Sequence, residues 1–319
     1  MKLGKIALSL AIGILGLGLS GCAPETNPVP TTITAATECG DLTFQGFPRL
    51  EPADPRMFFR CHEGFALNYH PRLRASLWVV QRLDADDLDE RTASRDKEEF
   101  RADGFLPKGM TPDSERWTNT GYDRGHLAPA DDFRENQVAM SHSFYTSNIV
   151  PQDPSHNRGI WRVLEQNTRR WALEKGQLYV ITGPIFEDFT PLGWLGLNDE
   201  GNYVIAEQDL VKQNQEKKRI EEARRRGQEL KKLPPPINGI AIPTHLYKVI
   251  YDPAQHTAIA FVVPNVPGLT TEQLPQFATS VAAVEQVTRI RFFPDLPFEQ
   301  QAALKTQVNP SQWQLQFND

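Results

Sequence analysis

The feature that most constrains this chain is the run Thr120-Gly121-Tyr122-Asp123-Arg124-Gly125-His126-Leu127-Ala128-Pro129, which sets an acid, a cation and a base around a glycine. His126 is a side chain that can take a proton near neutral pH, and a carboxylate three residues away, Asp123, can orient it. Arg124 offers a planar fork that suits a phosphate. Four such residues alone also describe a turn with a satisfied histidine. The pieces that follow narrow the choice: Ser147-Asn148-Ile149-Val150-Pro151-Gln152, then Asn157-Arg158-Gly159-Ile160-Trp161, Leu164-Glu165 and Arg169. The rest of the chain reads as scaffolding for them.

The N-terminus carries Lys2 and Lys5, an apolar stretch from Ile6 to Leu19, and then Leu19-Ser20-Gly21-Cys22. The stretch is short for a bilayer span and has the size of a signal-peptide core, and Gly13, Gly16 and Gly18 speak against a buried helix. Its last four residues resemble the lipobox of bacterial lipoproteins. That resemblance implies a signal peptide over residues 1–21 and a lipid on Cys22. It also implies an exported protein, anchored on the outside of the cytoplasmic membrane or in the outer membrane. Residues 22–38 form a disordered tether, since Ala23 to Glu38 holds three prolines, five threonines and almost no large apolar side chain. Cys39 and Cys61 are then an even pair in an exported chain. A disulfide there closes a loop of about twenty residues, worth roughly 3 kcal/mol. The alternative is two buried free thiols, and the spacing is too long for a zinc site.

One domain over 39–319, of mixed α+β class, accounts for the remainder. Arg74 to Leu83, with Trp78-Val79-Val80, reads as a central strand. Asp84 to Asn119, charged and broken by Pro107, Gly109 and Pro112, reads as a long surface loop that could border a substrate groove. A short helix follows over Asp131 to Ser141, and a longer one over Ser155 to Lys175. In the longer helix Ile160, Trp161, Leu164, Thr168 and Trp171 form one stripe at 100° per residue. Asn157, Glu165 and Arg169 lie beside that stripe and can border one cavity. The plainer alternative has Asn157 capping the first turn and Glu165 with Arg169 as an exposed pair. Gln177 to Thr182 is a strand that Gly183-Pro184 should end with a turn. A charged insertion occupies about 187–236. Its second half, Leu210 to Leu233, reads as an exposed helix with a thin stripe at Ile220, Ala223 and Leu230. Thr244 to Tyr251 and Ala258 to Val263 form a hairpin around Asp252-Pro253, and Thr270 to Asp319 supplies a helix and an irregular tail over the sheet.

The motif pieces, together with Ile181 to Phe186 and Ile242 to Asp252, resemble the DNA/RNA non-specific endonuclease family. These are the ββα-metal nucleases, which include bacterial secreted nucleases and mitochondrial endonuclease G. The resemblance implies a ββα-metal nuclease fold with a central, mostly antiparallel sheet flanked by helices. It implies His126 as general base and Asn157 as the one direct protein ligand of Mg²⁺, with Mn²⁺ able to substitute. Glu165 then holds the metal's waters, Asp123 supports that cluster or orients its neighbours, and Asn148 positions the site. Arg124 and Arg169 bind the phosphate.

The implied activity is sequence-non-specific hydrolysis of phosphodiesters in DNA and RNA, because a site built for backbone phosphate carries no base readout. The formal charge of -6 runs against a nucleic-acid partner, but a groove needs only a few local cations to hold one phosphate. Two other readings compete: an envelope lipoprotein that binds nucleic acid without cutting it, and a hydrolase of a different phosphate ester. A homodimer is left open by the sequence.

Overall fold

Strands alternate with turns along most of the chain, and their buried faces assemble one central sheet. The computed structural model describes residues 39–40, 42–96, 98–186, 196–197, 203–204, 238–307 and 310–317. The leader with Cys22, the tether and the helix expected at Leu210 to Leu233 lie outside these residues. In chain order the strands are β1 (Arg49–Leu50), β2 (Phe58–His62), β3 (Phe65–His70), β4 (Ala75–Asp84), β5 (Asp123–His126) and β6 (Ile149–Gln152). They continue with β7 (Gln177–Ile185), β8 (Gly196–Leu197), β9 (Tyr203–Val204), β10 (His245–Asp252), β11 (Thr257–Pro264), β12 (Ala278–Thr279) and β13 (Ile290–Arg291). The helices are α1 (Ala85–Asp89), α2 (Gln137–Ser143), α3 (Pro154–His156), α4 (Arg162–Lys175), α5 (Val281–Thr288) and α6 (Phe298–Thr306).

Seven strands form the central sheet in the order β12-β11-β10-β7-β4-β3-β2, and every neighbouring pair is antiparallel. β4 is buried on both faces: helices cover it, and Phe47 and Phe59 pack on its Trp78. The helix stripe behaves as expected: Ile160, Trp161, Leu164, Thr168 and Trp171 are all buried. Trp171 stacks on Phe261 of β11 and meets Trp313 of the tail edge-on, at ring separations of 6.3 and 5.3 Å. Cys39 and Cys61 form a disulfide that ties the start of the described chain to the edge strand β2.

Three local expectations are corrected. Gly183-Pro184 does not end β7, which runs on to Ile185. Pairing with β4 stops at Thr182, so Pro184 sits where only β10 runs alongside and its missing N–H breaks no ladder on the β4 side. Gly183 is required at that point, because a Cβ would overlap the Leu77 carbonyl and the Tyr247 ring. α2 starts at Gln137, where Asn136 caps it by accepting from the Val138 and Ala139 N–H groups, and Ala130–Asp132 forms only a tight single turn. The stretch from Asp84 to Asn119 is not wholly superficial either. Asp103, Leu106, Thr111 and Trp117 are buried, and Phe100 reaches the motif region. Within the insertion, the described residues are β8 and β9, an antiparallel pair.

Candidate active site

β5 and β6 pair antiparallel, with Asp123 opposite Gln152 and His126 opposite Ile149. Asp153 then caps α3 by accepting from the N–H groups of Ser155 and His156, and the chain enters the long helix. Two short strands and a helix thus carry all the motif pieces. Gly125 is needed inside β5 because a Cβ there would overlap the Gln152 side chain.

His126, half-buried, lies on an aromatic side of this unit. Its ring is 5.4 Å from that of Phe100 and meets Phe144 edge-on at 5.1 Å, and its buried Nε2 has no partner among the described residues. Burial, reinforced by Arg95 and opposed by Asp131, pushes its pKa down to about 3. The imidazole is therefore neutral, and able to accept a proton, throughout the physiological range. Asn148, fully buried, clamps the chain just beyond it. Its amide accepts from the Ala128 N–H (2.9 Å) and donates to the carbonyls of Ala128 (2.8 Å) and Ser143 (2.9 Å). Its amide is spent on these backbone groups.

Asn157, also half-buried, lies on a charged side. A wide turn, Asn157–Trp161, interrupts the helix, with Gly159 at φ -107° and ψ -109°. Asn157 Nδ2 donates to Asp123 Oδ2 (2.9 Å), while Arg158 grips the same carboxylate with two hydrogen bonds, Nε to Oδ2 (2.8 Å) and a terminal nitrogen to Oδ1 (2.6 Å). Burial raises the Asp123 pKa, but these hydrogen bonds and the Arg158 charge outweigh it and hold the carboxyl below its usual range. The Asn157 side chain therefore goes to Asp123, and the cap of the first turn is Asp153. Arg124 reaches the Ser114 carbonyl (3.0 Å) and lies over the Phe100 ring (5.3 Å), and its buried Nε has no partner among the described residues.

Beneath the helix a buried polar stripe crosses the sheet. Register places Gln81 of β4, Thr182 of β7 and Lys248 of β10 on one face. Lys248, 1% exposed, donates to Thr182 Oγ1 (2.7 Å) and lies over the Trp161 ring (5.2 Å). Burial pushes the Glu165 carboxyl up to about 7, with Lys248 and Arg169 pulling the other way. Arg169 pairs with buried Asp132 (2.7 Å), which also accepts from Gln81, so the exposed Glu165–Arg169 pair is not formed. Arg169 is committed to that internal ion pair, whereas the Arg124 guanidinium makes only a single hydrogen bond among the described residues.

The structure thus joins Asp123 to Asn157 directly, links His126 and Arg124 through Phe100, and places Asp131 within electrostatic reach of both His126 and Glu165. Sequence reasoning missed Arg158, Asp131, Asp132, Lys248 and the two phenylalanines. Lys248 carried a signal, a charge amid Tyr247, Val249 and Ile250 in an otherwise β-rich run; Phe100 carried none.

The residues suit a hard cation that keeps most of its waters. Asn157 Nδ2 is committed to Asp123, and Oδ1 accepts no hydrogen bond among the described residues. Among those residues no cluster of three His, Cys, Asp or Glu forms a full protein cage.

The profile of the family described as DNA/RNA non-specific endonuclease matches residues 52–299. The chain is 31% identical over 252 residues to a protein of Danio rerio named Nuclease EXOG, mitochondrial, covering 77% of this chain and 64% of that one. It is 28% identical over 260 residues to Endonuclease G, mitochondrial, of Homo sapiens, covering 81% of this chain and 74% of that one. A solved structure of an EndoG/EndoGI complex, described as the mechanism of EndoG inhibition, superposes at a TM-score of 0.59 and 25% identity. The superposition covers 86% of this chain and 96% of that one. The two strands and helix around Asp123, His126 and Asn157 are thus the ββα-metal element, a separate two-stranded sheet with its helix alongside the central seven-stranded sheet.

Proposed function

From the premise that this chain belongs to the DNA/RNA non-specific endonuclease family, we propose that it is a metal-dependent endonuclease cutting DNA and RNA without sequence preference. We place it outside the cytoplasm, lipid-anchored through Cys22. The observation that carries the reading is the pairing of a neutral imidazole at His126, whose Nε2 has no partner among the described residues, with an asparagine whose amide nitrogen is fixed and whose oxygen is open.

His126 takes the proton from the water that attacks phosphorus, as a general base. Its low pKa keeps it unprotonated, and a phosphate brought beside it raises its basicity by attraction to the positive form. Arg124, whose guanidinium makes only a single hydrogen bond among the described residues, binds the phosphate oxygens and the charge that develops on them. Asp123 holds the Asn157 amide, and Asn148 holds the backbone after His126. Asn157 Oδ1 and, through water, the Glu165 carboxyl would hold Mg²⁺ or Mn²⁺, which when bound supplies positive charge to the phosphate and the leaving oxygen. Arg169 supports Asp132 and through it this layer.

The test is digestion of plasmid and of RNA with and without a chelator. Loss of cleavage in chelator and its return with Mg²⁺ or Mn²⁺ supports the proposal. Tight binding of both substrates without cleavage would favour the non-catalytic envelope lipoprotein, and cleavage of only a small chromogenic ester would favour a different hydrolase. Intact mass of protein taken from membranes, with residues 1–21 missing and acyl mass added, tests the anchor.

A further inference from the structure

Two consecutive helical side chains point about 100° apart and cannot ordinarily meet on one carboxylate. Asn157 and Arg158 both meet on Asp123. The wide turn with Gly159 off the helical conformation lets them do so. The result is a chain of three groups. Arg158 engages both oxygens of Asp123 and Asn157 donates to one of them, leaving the Asn157 oxygen open. The Asp123 carboxylate is only 14% exposed, whereas the Arg158 side chain is 73% exposed, so the arginine closes the carboxylate from the solvent side.

An isolated surface ion pair contributes little, because water screens it and two side chains must be ordered to form it. A bidentate guanidinium does something else: it fixes the plane of the carboxylate. A fixed carboxylate in turn selects which end of the neighbouring amide faces it, since only the NH₂ end can donate to it. We infer that Arg158 is a positioning residue for metal binding, acting through Asp123 to hold the Asn157 amide with its oxygen presented to the ion. The inference rests on the reading of Asn157 as the ion's ligand. It assigns Arg158 no contact with substrate.

The test uses the full mature chain and two measurements. Mn²⁺ binding to the metal-free protein is followed by electron paramagnetic resonance, and cleavage rate is measured against Mg²⁺ concentration. Arg158→Met should weaken Mn²⁺ binding and raise the Mg²⁺ midpoint about tenfold, with most of the rate recovered at saturating metal. Arg158→Lys, which cannot grip both oxygens, should fall between. Asp123→Asn should weaken binding at least as much, and adding Arg158→Met to it should cost nothing further, because the two act in one chain. Unchanged Mn²⁺ binding in Arg158→Met overturns the inference. So does a rise in KM for DNA with the metal midpoint unmoved, which would make Arg158 a phosphate contact. If Asn157→Ala binds Mn²⁺ as the wild type does, the metal reading itself fails, whatever Arg158 does.

Discussion

The two sides of the site are built from opposite materials. His126 is held by aromatic rings, with a buried nitrogen that bonds to no described residue, whereas Asn157 is held by a carboxylate that an exposed guanidinium grips in turn. A base and a metal ligand need different surroundings. An aromatic surround disfavours the charged imidazolium and so keeps His126 unprotonated, while on the proposed reading an ion that sheds water reluctantly needs a ligand in contact with solvent. The fold separates them by placing His126 on a strand packed against Phe100 and Phe144, and Asn157 on a helix interrupted at Gly159.

The sharpest way to break this comparison is to remove one side at a time. His126→Ala should lower the cleavage rate 10²- to 10⁴-fold, on the scale of a lost general base, with the Mg²⁺ midpoint kept. Asn157→Ala should collapse activity, and what remains should need far more Mg²⁺. Imidazole added to the medium should partly restore the His126 variant only. Initial rate against Mg²⁺ concentration checks all three. A strong midpoint shift in His126→Ala without one in Asn157→Ala would reverse the roles.

Next in size is the clamp behind the aromatic side. Asn148→Ala leaves the buried Ala128 N–H and the Ala128 and Ser143 carbonyls without their partner, and such groups cost roughly 1–3 kcal/mol each. Partial relaxation should leave a loss of about 3 kcal/mol in urea unfolding, with metal binding retained by whatever remains folded. Weakened metal binding in the folded variant would mean that the two sides are not separable.

A smaller effect reads the aromatic surround directly. The unfolded histidine titrates near 6.5 and His126 in the fold near about 3, so between these values the unfolded chain binds a proton that the fold refuses. The stability His126 contributes is therefore full above 6.5 and is lost as pH falls toward 3, by at most about 1.4 kcal/mol per pH unit. His70 and His156, held near about 4 mainly by burial, add slopes of the same sign. Urea midpoints between pH 7.5 and 4.5 should be flatter for His126→Phe than for the wild type and unchanged in slope for Asn157→Ala. An unchanged slope in His126→Phe would show that the aromatic surround does not keep His126 unprotonated.

How much of this was legible in the sequence follows from what each contact needs. The sheet was readable because Trp78, Val79 and Val80 or Tyr247, Val249 and Ile250 advertise buried strands by type and alternation. The helix stripe was readable because its period is set by geometry. The motif residues were readable by resemblance. Phe100 was not, since a lone phenylalanine in a charged stretch has no period to betray it. Nor was the union of Asn157 and Arg158 on Asp123, which depends on a break in helical geometry that the regular 100° count excludes. Gly183-Pro184 was misread because turn chemistry is local, whereas tolerance of a proline depends on where the neighbouring strand stops.

The smallest expected effect concerns the charged segment Leu210 to Leu233, in which no residue of either side lies. The strands on either side of the insertion pair directly, with His245 opposite Ile185, so the two ends the insertion joins are adjacent and a short connection can span them. Ile240 and Ala241 must be kept, because they are buried and the Ala241 N–H donates to the Leu73 carbonyl. Replacing Leu210 to Leu233 with a short glycine-rich linker should therefore leave cleavage of a short duplex within about tenfold, a barrier change of roughly 1.4 kcal/mol. It should leave the Mg²⁺ midpoint and the pH slope of stability unmoved. A loss as large as that of His126→Ala would mean that the segment grips substrate or shapes the site. A shift confined to the metal midpoint would place its influence on the Asn157 side, and one confined to the pH slope on the His126 side.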